Sequence, residues 1–414
     1  MRTQCVFMVL RAFVSFRSVP RILSVLNAQR ATPYGWIPHF TSVINWTLRI
    51  GLACLNQVTE SKEPWVAIMD HSIVIGVKKV LVVLRVPIKV FAKKGQALTL
   101  SDCECIGLKV SEKTDADTIT QQLVSIFELA GSPAVIVKDQ AGNLSKGVSQ
   151  WKQISGVKSV TTIDDIGHVL ANALQEQYKE SKPLKQFLEA VRKGASRLRQ
   201  TELAFLLPPK IRVKGRFQSI SKLAKWSTKI ECLMRVRGRA AVNSPLEKLR
   251  KALPGFTQMK TFIEGFSRTT HIVNEVNKVL KNKGLNQRTY RQYCQLSEAL
   301  PRGSIVRKRL VRWLKSHLAK QAHLGVKQTP LLVSSDIIES LFGKYKHIIE
   351  RCPLSDINRM VLIIPALCIN GMSQQTMLNA FSQTKHEDLA RWEQKNISHS
   401  LYSNRRAFLE NLYV

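Results

Sequence analysis

The stretch from Trp65 to Val86, WVAIMDHSIVIGVKKVLVVLRV, constrains the fold more than any other part of this chain. An apolar run from Trp65 to Met69 leads to a carboxylate, Asp70, and a second run from Val80 to Val86 follows a turn-like segment with Gly76. Short β-branched runs bounded by turn residues predict buried strands, so we predict a hairpin whose first strand ends at Asp70. A carboxylate is costly to bury unless it is paired or holds a metal, which makes Asp70 a candidate site residue.

Strands and helices alternate over residues 60–180. After the hairpin, we predict strands at Cys105–Val110, Ala134–Val137 and Ser159–Ile163, with helices at Thr114–Leu129 and Ile166–Tyr178. The fourth strand ends on Lys138 and Asp139. Apolar strands connected by helices indicate an α/β domain with a largely parallel section.

The two ends of the chain have helical patterns. Residues 1–59 predict two short helices, the second capped by Thr41 or Ser42, and they fit either a DNA-binding helix-turn-helix or a helical hairpin packed on the next domain. Residues 331–414 predict the helix DIIESLFGKYKHIIERC and further helices after it. The chain begins abruptly inside a helical pattern, which suggests a reading frame shortened at its N-terminus.

The formal net charge is +34, because 63 Lys and Arg residues outnumber 29 Asp and Glu residues. A charge of this size indicates the kind of partner that the chain binds rather than its fold. By count, residues 181–330 contain 34 of these cations and 7 of the acids, so this stretch holds about four-fifths of the net charge. Its helical pattern has aromatic residues among the cations, as suits a surface that follows a nucleic-acid backbone. The alternatives are a bundle whose core takes the aromatics, a membrane-surface partner, and a merely solvated basic face.

The cysteines and the hydropathy pattern indicate the cellular compartment of the protein. The eight cysteines include no pair with zinc-finger spacing, so we expect a reducing compartment without structural zinc, and we expect Cys103 and Cys105 to be packing residues. No apolar run reaches the roughly 18 residues of a membrane span. The acid-free N-terminus mimics a mitochondrial presequence, but it is longer than one and contains patterned helices, so we expect a cytoplasmic protein.

Three carboxylates on separate elements form the candidate catalytic site. Asp70 and Asp139 follow predicted strands, and Glu339 lies among apolar residues on a helix that must pack on the sheet. Three such groups can hold two Mg²⁺ ions roughly 3.5–4 Å apart for phosphoryl transfer. Lys346 lies two turns after Glu339, where it can meet a DNA phosphate. Each acid also has an ordinary interpretation: Asp70 as a turn residue, Asp139 as an Asx-turn former and Glu339 as an exposed helix acid.

These residues, in this order, resemble the DDE transposases of bacterial insertion sequences, which have an RNase H-like catalytic domain. The resemblance extends over about residues 20–400. It rests on the order Asp70, Asp139, a long helical insertion and Glu339 followed by Lys346, and on the segments PHFTSVINWTLRIGL, DHSIVIG, VIVKDQAGNLSKG, DDIGHVLANAL and PPKIRVKGRFQSISKLAKW. Leu332 and Ser335 stand where such signatures often have Tyr and Arg.

The resemblance implies a fold and its domains. We expect an RNase H-like mixed five-stranded sheet flanked by helices. The first part of this catalytic core would be residues 60–180. A basic helical insertion, residues 181–330, would follow it. The last part of the core, with the C-terminal helices, would be residues 331–414. The helical N-terminal region would be residues 1–59.

The resemblance also implies an activity. We expect Mg²⁺, or Mn²⁺ in its place, at Asp70, Asp139 and Glu339, and cleavage and strand transfer of DNA at transposon ends. We expect DNA contacts from Lys344, Lys346, Arg216, Lys225 and Trp226. The protein would act as a homodimer or higher assembly on paired ends and a target, in the bacterial nucleoid. The alternatives are a related nuclease without strand transfer and an inactive DNA-binding remnant.

Overall fold

The computed structural model describes residues 1–29, 35–73, 78–94, 98–210, 220–236, 238–324, 329–349, 357–369, 373–397 and 408–411. These residues fall into two compact units: unit 1 comprises Met1–Ile163 and Ser334–Val414, and unit 2 comprises Asp164–Val333. No helix in the described part of the chain is both long and apolar enough to cross a membrane.

The strands are β1 (Trp65–Ile73), β2 (Lys79–Pro87), β3 (Glu104–Ser111), β4 (Val135–Lys138) and β5 (Thr161–Asp164). The helices up to β5 are α1 (Arg2–Leu10), α2 (Ser18–Ala28), α3 (Phe40–Asn56), α4 (Ile88–Lys94), α5 (Ala116–Ala130) and α6 (Gly142–Ile154). Those of unit 2 are α7 (Ile166–Tyr178), α8 (Lys182–Leu198), α9 (Ile220–Met234), α10 (Pro245–Ala252), α11 (Lys260–Lys283), α12 (Gln287–Glu298) and α13 (Ile305–His323). The last are α14 (Asp336–Ile349), α15 (Ile363–Leu367), α16 (Gln374–Gln383) and α17 (His386–Asn396).

Unit 1 is built on a five-stranded mixed sheet with the order β3-β2-β1-β4-β5. β1 pairs antiparallel with β2 and parallel with β4, and β2 pairs antiparallel with β3. The predicted α/β class and the mixed five-stranded sheet flanked by helices are confirmed. The strand order and these three pairings are those of an RNase H-like sheet.

Helices cover both faces of the sheet. On one face, Trp65, Ala67 and Met69 of β1 join a core with α5 and α6, in which the Phe127 and Trp151 rings lie 4.6 Å apart. Because strand side chains alternate, Val66 and Ile68 point to the other face. There α3 and α14 both pack on α15, α3 and α15 contact β3, and α14 contacts β1.

Helix α3 lies within this second layer. Val43, Trp46, Leu48 and Ile50 are buried, and the Arg49 guanidinium donates to the Thr384 and Phe381 backbone carbonyls. α1 and α2 also pack on α3. This burial favours the packed helical region over the helix-turn-helix, because a helix that reads DNA must present a polar face to it.

The described residues of unit 2 lie mainly in helices, and the unit begins at Asp164 rather than at residue 181, the start predicted for the insertion. The difference arises because α7 packs with α11 and α13. Aromatic side chains form the centre of unit 2: Phe187 lies 5.7 Å from Phe262 and 6.1 Å from Phe266, and the Tyr178 ring packs edge-on against Phe266. The described aromatics of the basic segment are therefore mainly core residues.

Candidate functional site

Asp70 and Asp139 come directly after the last pair of the parallel ladder between β1 and β4, which joins Met69 to Lys138. β1 itself continues to Ile73, where it pairs with Lys79 of β2, so the prediction that the strand ends at Asp70 is wrong. The antiparallel partner keeps β1 extended beyond the end of β4. The two carboxylates thus sit side by side at one edge of the parallel section, and both are half-buried.

Local backbone hydrogen bonds orient both carboxylates. Asp70 Oδ1 accepts a hydrogen bond from the His71 backbone N–H at 2.7 Å, and Asp139 Oδ1 accepts one from the Ala141 N–H at 3.0 Å. The second bond forms the Asx turn that was the ordinary interpretation of Asp139. Such a turn fixes the direction of the carboxylate without excluding a ligand role, since a carboxylate has about four lone-pair sites.

A buried lysine stands beside Asp139. Lys138 is only 3% exposed, and its ammonium donates to the Asp139 carbonyl oxygen at 3.1 Å and to Ser145 Oγ at 2.7 Å. These bonds connect the end of β4 to the first turns of α6. They hold the Lys138–Asp139 segment in one conformation, which pre-organises the carboxylate.

His71 is a neighbour that the sequence did not single out. Burial lowers the pKa of its imidazole to about 4, the charge of Asp139 acts in the opposite direction, and Lys79 lowers the pKa further. The imidazole is therefore neutral at pH 7. Its Nε2 atom is buried without a hydrogen-bond partner among the described residues. The only signal in the sequence was its position directly after Asp70.

Glu339 lies on the exposed side of α14, in the first turn of the helix. The opposite side of α14 buries Ile338, Leu341 and Tyr345, and the helix packs against β1. Lys346 is exposed two turns later, as predicted, and a Cβ atom built on Gly343 between them would meet nothing within 4 Å. Glu339, Gly343 and Lys346 therefore form an open stripe along the helix.

The donor chemistry of Asp70, Asp139 and Glu339 suits a hard divalent cation, because all three offer carboxylate oxygens. The structure places Asp70 and Asp139 next to each other where the parallel ladder between β1 and β4 ends. Within the described ranges, however, no group of three or more His, Cys, Asp or Glu side chains is arranged so that it could hold a metal ion. Glu339 therefore does not complete a three-carboxylate site with the aspartate pair in this conformation.

The residues predicted to contact DNA have different surroundings. Lys225 is exposed on α9, and the Lys344 ammonium lies 5.9 Å from the centre of the Phe13 ring. Trp226 belongs to the core of unit 2: its Nε1–H donates to the Leu206 carbonyl at 2.8 Å, and its ring packs edge-on against Phe256. The indole is thus held inward, and the predicted DNA contact of Trp226 stays a prediction. Arg216 lies outside the described residues.

Cys103 and Cys105 are buried, as expected of packing residues. With Cys54 and Cys368 they line a cavity of about 610 Å³ in unit 1. Burial raises the pKa of both Cys54 and Cys103 to about 12. These thiols are thus protonated at neutral pH and are poor nucleophiles and poor metal ligands there.

The chain shows similarity to known proteins at the level of structure but not at the level of sequence. No family model matches the chain, and no curated protein matches it. Among solved structures, the chain is similar to the Drosophila P element transposase strand transfer complex, with 12% sequence identity over 91% of this chain and 92% of that chain, at a TM-score of 0.43. At this identity and TM-score, the likeness assigns no role to any residue of this chain.

Proposed function

We propose that this chain is a DDE-type transposase, which binds transposon-end DNA and catalyses phosphodiester cleavage and strand transfer. The observation that carries the proposal is the pair Asp70 and Asp139, which directly follow the last residue pair of the parallel ladder between β1 and β4. The order β3-β2-β1-β4-β5 supports it, since this order places Asp70 on the central strand and Asp139 directly after the strand beside it. We propose Glu339 as the third carboxylate because its helix, α14, contacts β1, although its side chain lies on the exposed side of that helix.

In this proposal, Asp70, Asp139 and Glu339 would be the ligands of two Mg²⁺ ions, or of Mn²⁺ in their place. When bound, such ions supply Lewis-acid activation of the attacking oxygen and stabilise charge on the phosphate. Backbone N–H groups orient the two aspartates, and Glu339 would have to move towards them to share a metal ion. Lys346, on the same stripe of α14 as Glu339, then contacts a phosphate of the DNA.

The strongly basic composition of residues 181–330 supports DNA as the partner. Such a surface binds phosphates without reading sequence, so it can hold transposon ends and target alike. The proposed assembly is a homodimer or a higher oligomer, in which copies of the chain hold two transposon ends together.

The test uses purified full-length protein and a labelled duplex that carries the end of the element. The protein is incubated with target DNA and Mg²⁺ or Mn²⁺, with EDTA, and as the Asp139→Ala, Asp70→Asn and Glu339→Gln variants. Glu128→Gln is the matched control, because Glu128 is an exposed carboxylate on α5. We expect metal-dependent nicking and joining at least 10²-fold slower in the three site variants and unchanged in the control, since losing one ligand disables a metal site.

The products separate the alternatives. Cleavage without joining to target DNA would indicate a nuclease. Salt-sensitive DNA binding without cleavage in either metal would indicate a DNA-binding remnant, and equal activity of Glu128→Gln and Asp139→Ala would contradict the proposed site.

A further inference from the structure

A groove on unit 2 lies between two helices that pack along each other, α9 and α11. Its volume is about 500 Å³. The residues that matter for its chemistry are Lys225, Lys229 and Cys232 from α9 and Arg268, His271 and Asn274 from α11. We call it the α9–α11 groove.

Hydroxyl groups connect the two helices along this groove. Thr228 Oγ1 donates to Ser267 Oγ at 2.9 Å, and Ser267 Oγ donates to the Ala224 carbonyl at 3.2 Å. Small side chains and these hydrogen bonds hold the helices close together. The groove is therefore formed before any ligand binds, which lowers the entropic cost of binding.

The rim of the groove carries positive charge from both helices. Lys225 and Lys229 are exposed and four residues apart, so they lie about 6 Å from each other along α9. Arg268 and His271 are exposed on α11, three residues apart and thus on one face of that helix.

In the described part of the chain, the cations of the groove form no ion pairs. Among the described residues, none forms an ion pair with Lys225, Lys229 or Arg268, whereas the nearby acids Glu231 and Glu264 both bind Arg235. Other cations of unit 2 are paired: Lys193 with Glu189, Lys248 with Glu202 and Lys251 with Glu247. The groove thus differs from these parts of the unit in leaving its cations available for an external anion.

Ammonium, guanidinium, amide and hydroxyl donors are the groups that bind phosphate oxygens. The one tryptophan of α9, Trp226, is held inward against Phe256, so it offers no stacking surface for bases. We infer that the α9–α11 groove binds the phosphodiester backbone of duplex DNA, independently of sequence. This inference rests on the proposed function and assigns the groove as one place where the DNA is held.

The first experiment measures DNA affinity of the full-length protein by fluorescence anisotropy, in EDTA to prevent cleavage and over a series of salt concentrations. The groove variant is Lys225→Gln, Lys229→Gln and Arg268→Gln together. The control is Lys193→Gln, Lys248→Gln and Lys251→Gln together, which removes the same charge from paired cations of the same unit. Removing one cation that binds a phosphate reduces the slope of log K against log salt by about 0.9. We expect a reduction of about 2 to 3 in the groove variant and a clearly smaller one in the control.

The second experiment uses the unmodified protein, so it does not depend on how a variant folds. Cys232 is an exposed thiol in the groove, and Cys294 on α12 is a half-buried thiol outside it. The rate at which N-ethylmaleimide modifies each thiol is followed by peptide mass spectrometry. We expect duplex DNA to slow modification of Cys232 several-fold and to leave Cys294 unchanged.

The source of the phosphate is tested with nucleoside triphosphate and pyrophosphate in place of the duplex. Protection of Cys232 by these small molecules but not by DNA would overturn the inference. If the protein binds and cleaves DNA, yet the groove variant behaves as the control and Cys232 stays unprotected, the inference fails and the proposed function stands. If the unmodified protein binds no DNA, both fail.

Discussion

The imidazole of His71 is buried beside the aspartate pair, and its burial affects how the protein responds to acid. Its pKa is about 4 in the folded protein, against about 6.5 for an unperturbed histidine. Between these values the unfolded chain binds a proton that the folded chain does not. The stabilisation from the neutral imidazole is therefore complete above pH 6.5 and is lost as the pH falls towards 4.

This difference predicts a pH-dependent thermal stability. We expect the free energy of unfolding to decrease from pH 6.5 to pH 4 with a slope of at most about 1.4 kcal/mol per pH unit from His71, since one proton is involved. The His71→Gln variant should lack this contribution. Calorimetric Tm values of both proteins at pH 4.5, 5.5, 6.5 and 7.5 would check it. Parallel pH profiles for the two proteins would show that His71 does not carry the effect.

Single residues also show where sequence reasoning succeeds. Aspartate directly before a helical pattern favours an N-cap, and Asp115 and Asp165 each accept a hydrogen bond from the backbone N–H three residues later. The inward packing of Trp226 could not be predicted from the sequence, because an aromatic residue on an amphipathic helix fits either a core or a nucleic-acid surface. The exposure of Glu339 depends on how α14 meets β1, which the helix pattern alone does not determine.

At the scale of elements, close packing decides how helix α3 sits in unit 1. A Cβ atom on Gly51 would lie 1.8 Å from the Leu362 carbonyl oxygen, which is backbone and cannot rotate away. Gly343 on α14 is the opposite case, because the same atom would meet nothing within 4 Å. Close packing therefore requires glycine at position 51, whereas position 343 has room for a side chain.

These environments predict opposite effects of the same substitution. We expect Gly51→Ala to destabilise the protein by about 1–3 kcal/mol or more, since the backbone must shift to admit the methyl group. Gly343→Ala should stabilise it by about 0.5–1 kcal/mol, because alanine loses less conformational entropy in a helix. Urea unfolding of both variants and the unmodified protein measures the difference. Equal stability of the two variants would contradict the packing of α3.

The strands of the sheet were largely predictable from the sequence, but the full length of β1 was not. Short runs rich in β-branched residues located all five strands to within a few residues, because turn signals bound each run. The extension of β1 past Asp70 was missed, because HSI carries a polar residue in each of its first two positions. The pattern read as a turn, but pairing with β2 keeps the backbone extended.

At the scale of the whole molecule, the placement of Asp70 beside Asp139 was predictable as soon as β1 and β4 were taken as parallel neighbours. The position of Glu339 relative to that pair was not, because residues 140–338 separate it from Asp139 along the chain and local patterns do not encode such distant contacts. The length of unit 2 likewise followed from tertiary contacts of α7, and no composition boundary marks Asp164.

The net charge of the whole chain predicts how its affinity for DNA depends on salt concentration. A net charge of +34 leaves the protein with far more cations than its own carboxylates can pair. If 6–10 of them contact phosphates, DNA affinity should fall by about 10³–10⁵-fold between 50 and 200 mM salt, because each contact releases a condensed counterion. Anisotropy titrations in EDTA, with one duplex carrying the transposon end and one of unrelated sequence, measure both slopes. We expect the two slopes to be similar and steep, since a basic surface reads phosphates rather than bases. A change of less than about tenfold would mean that few of these cations touch DNA, and a polyanion other than DNA would then have to account for the charge.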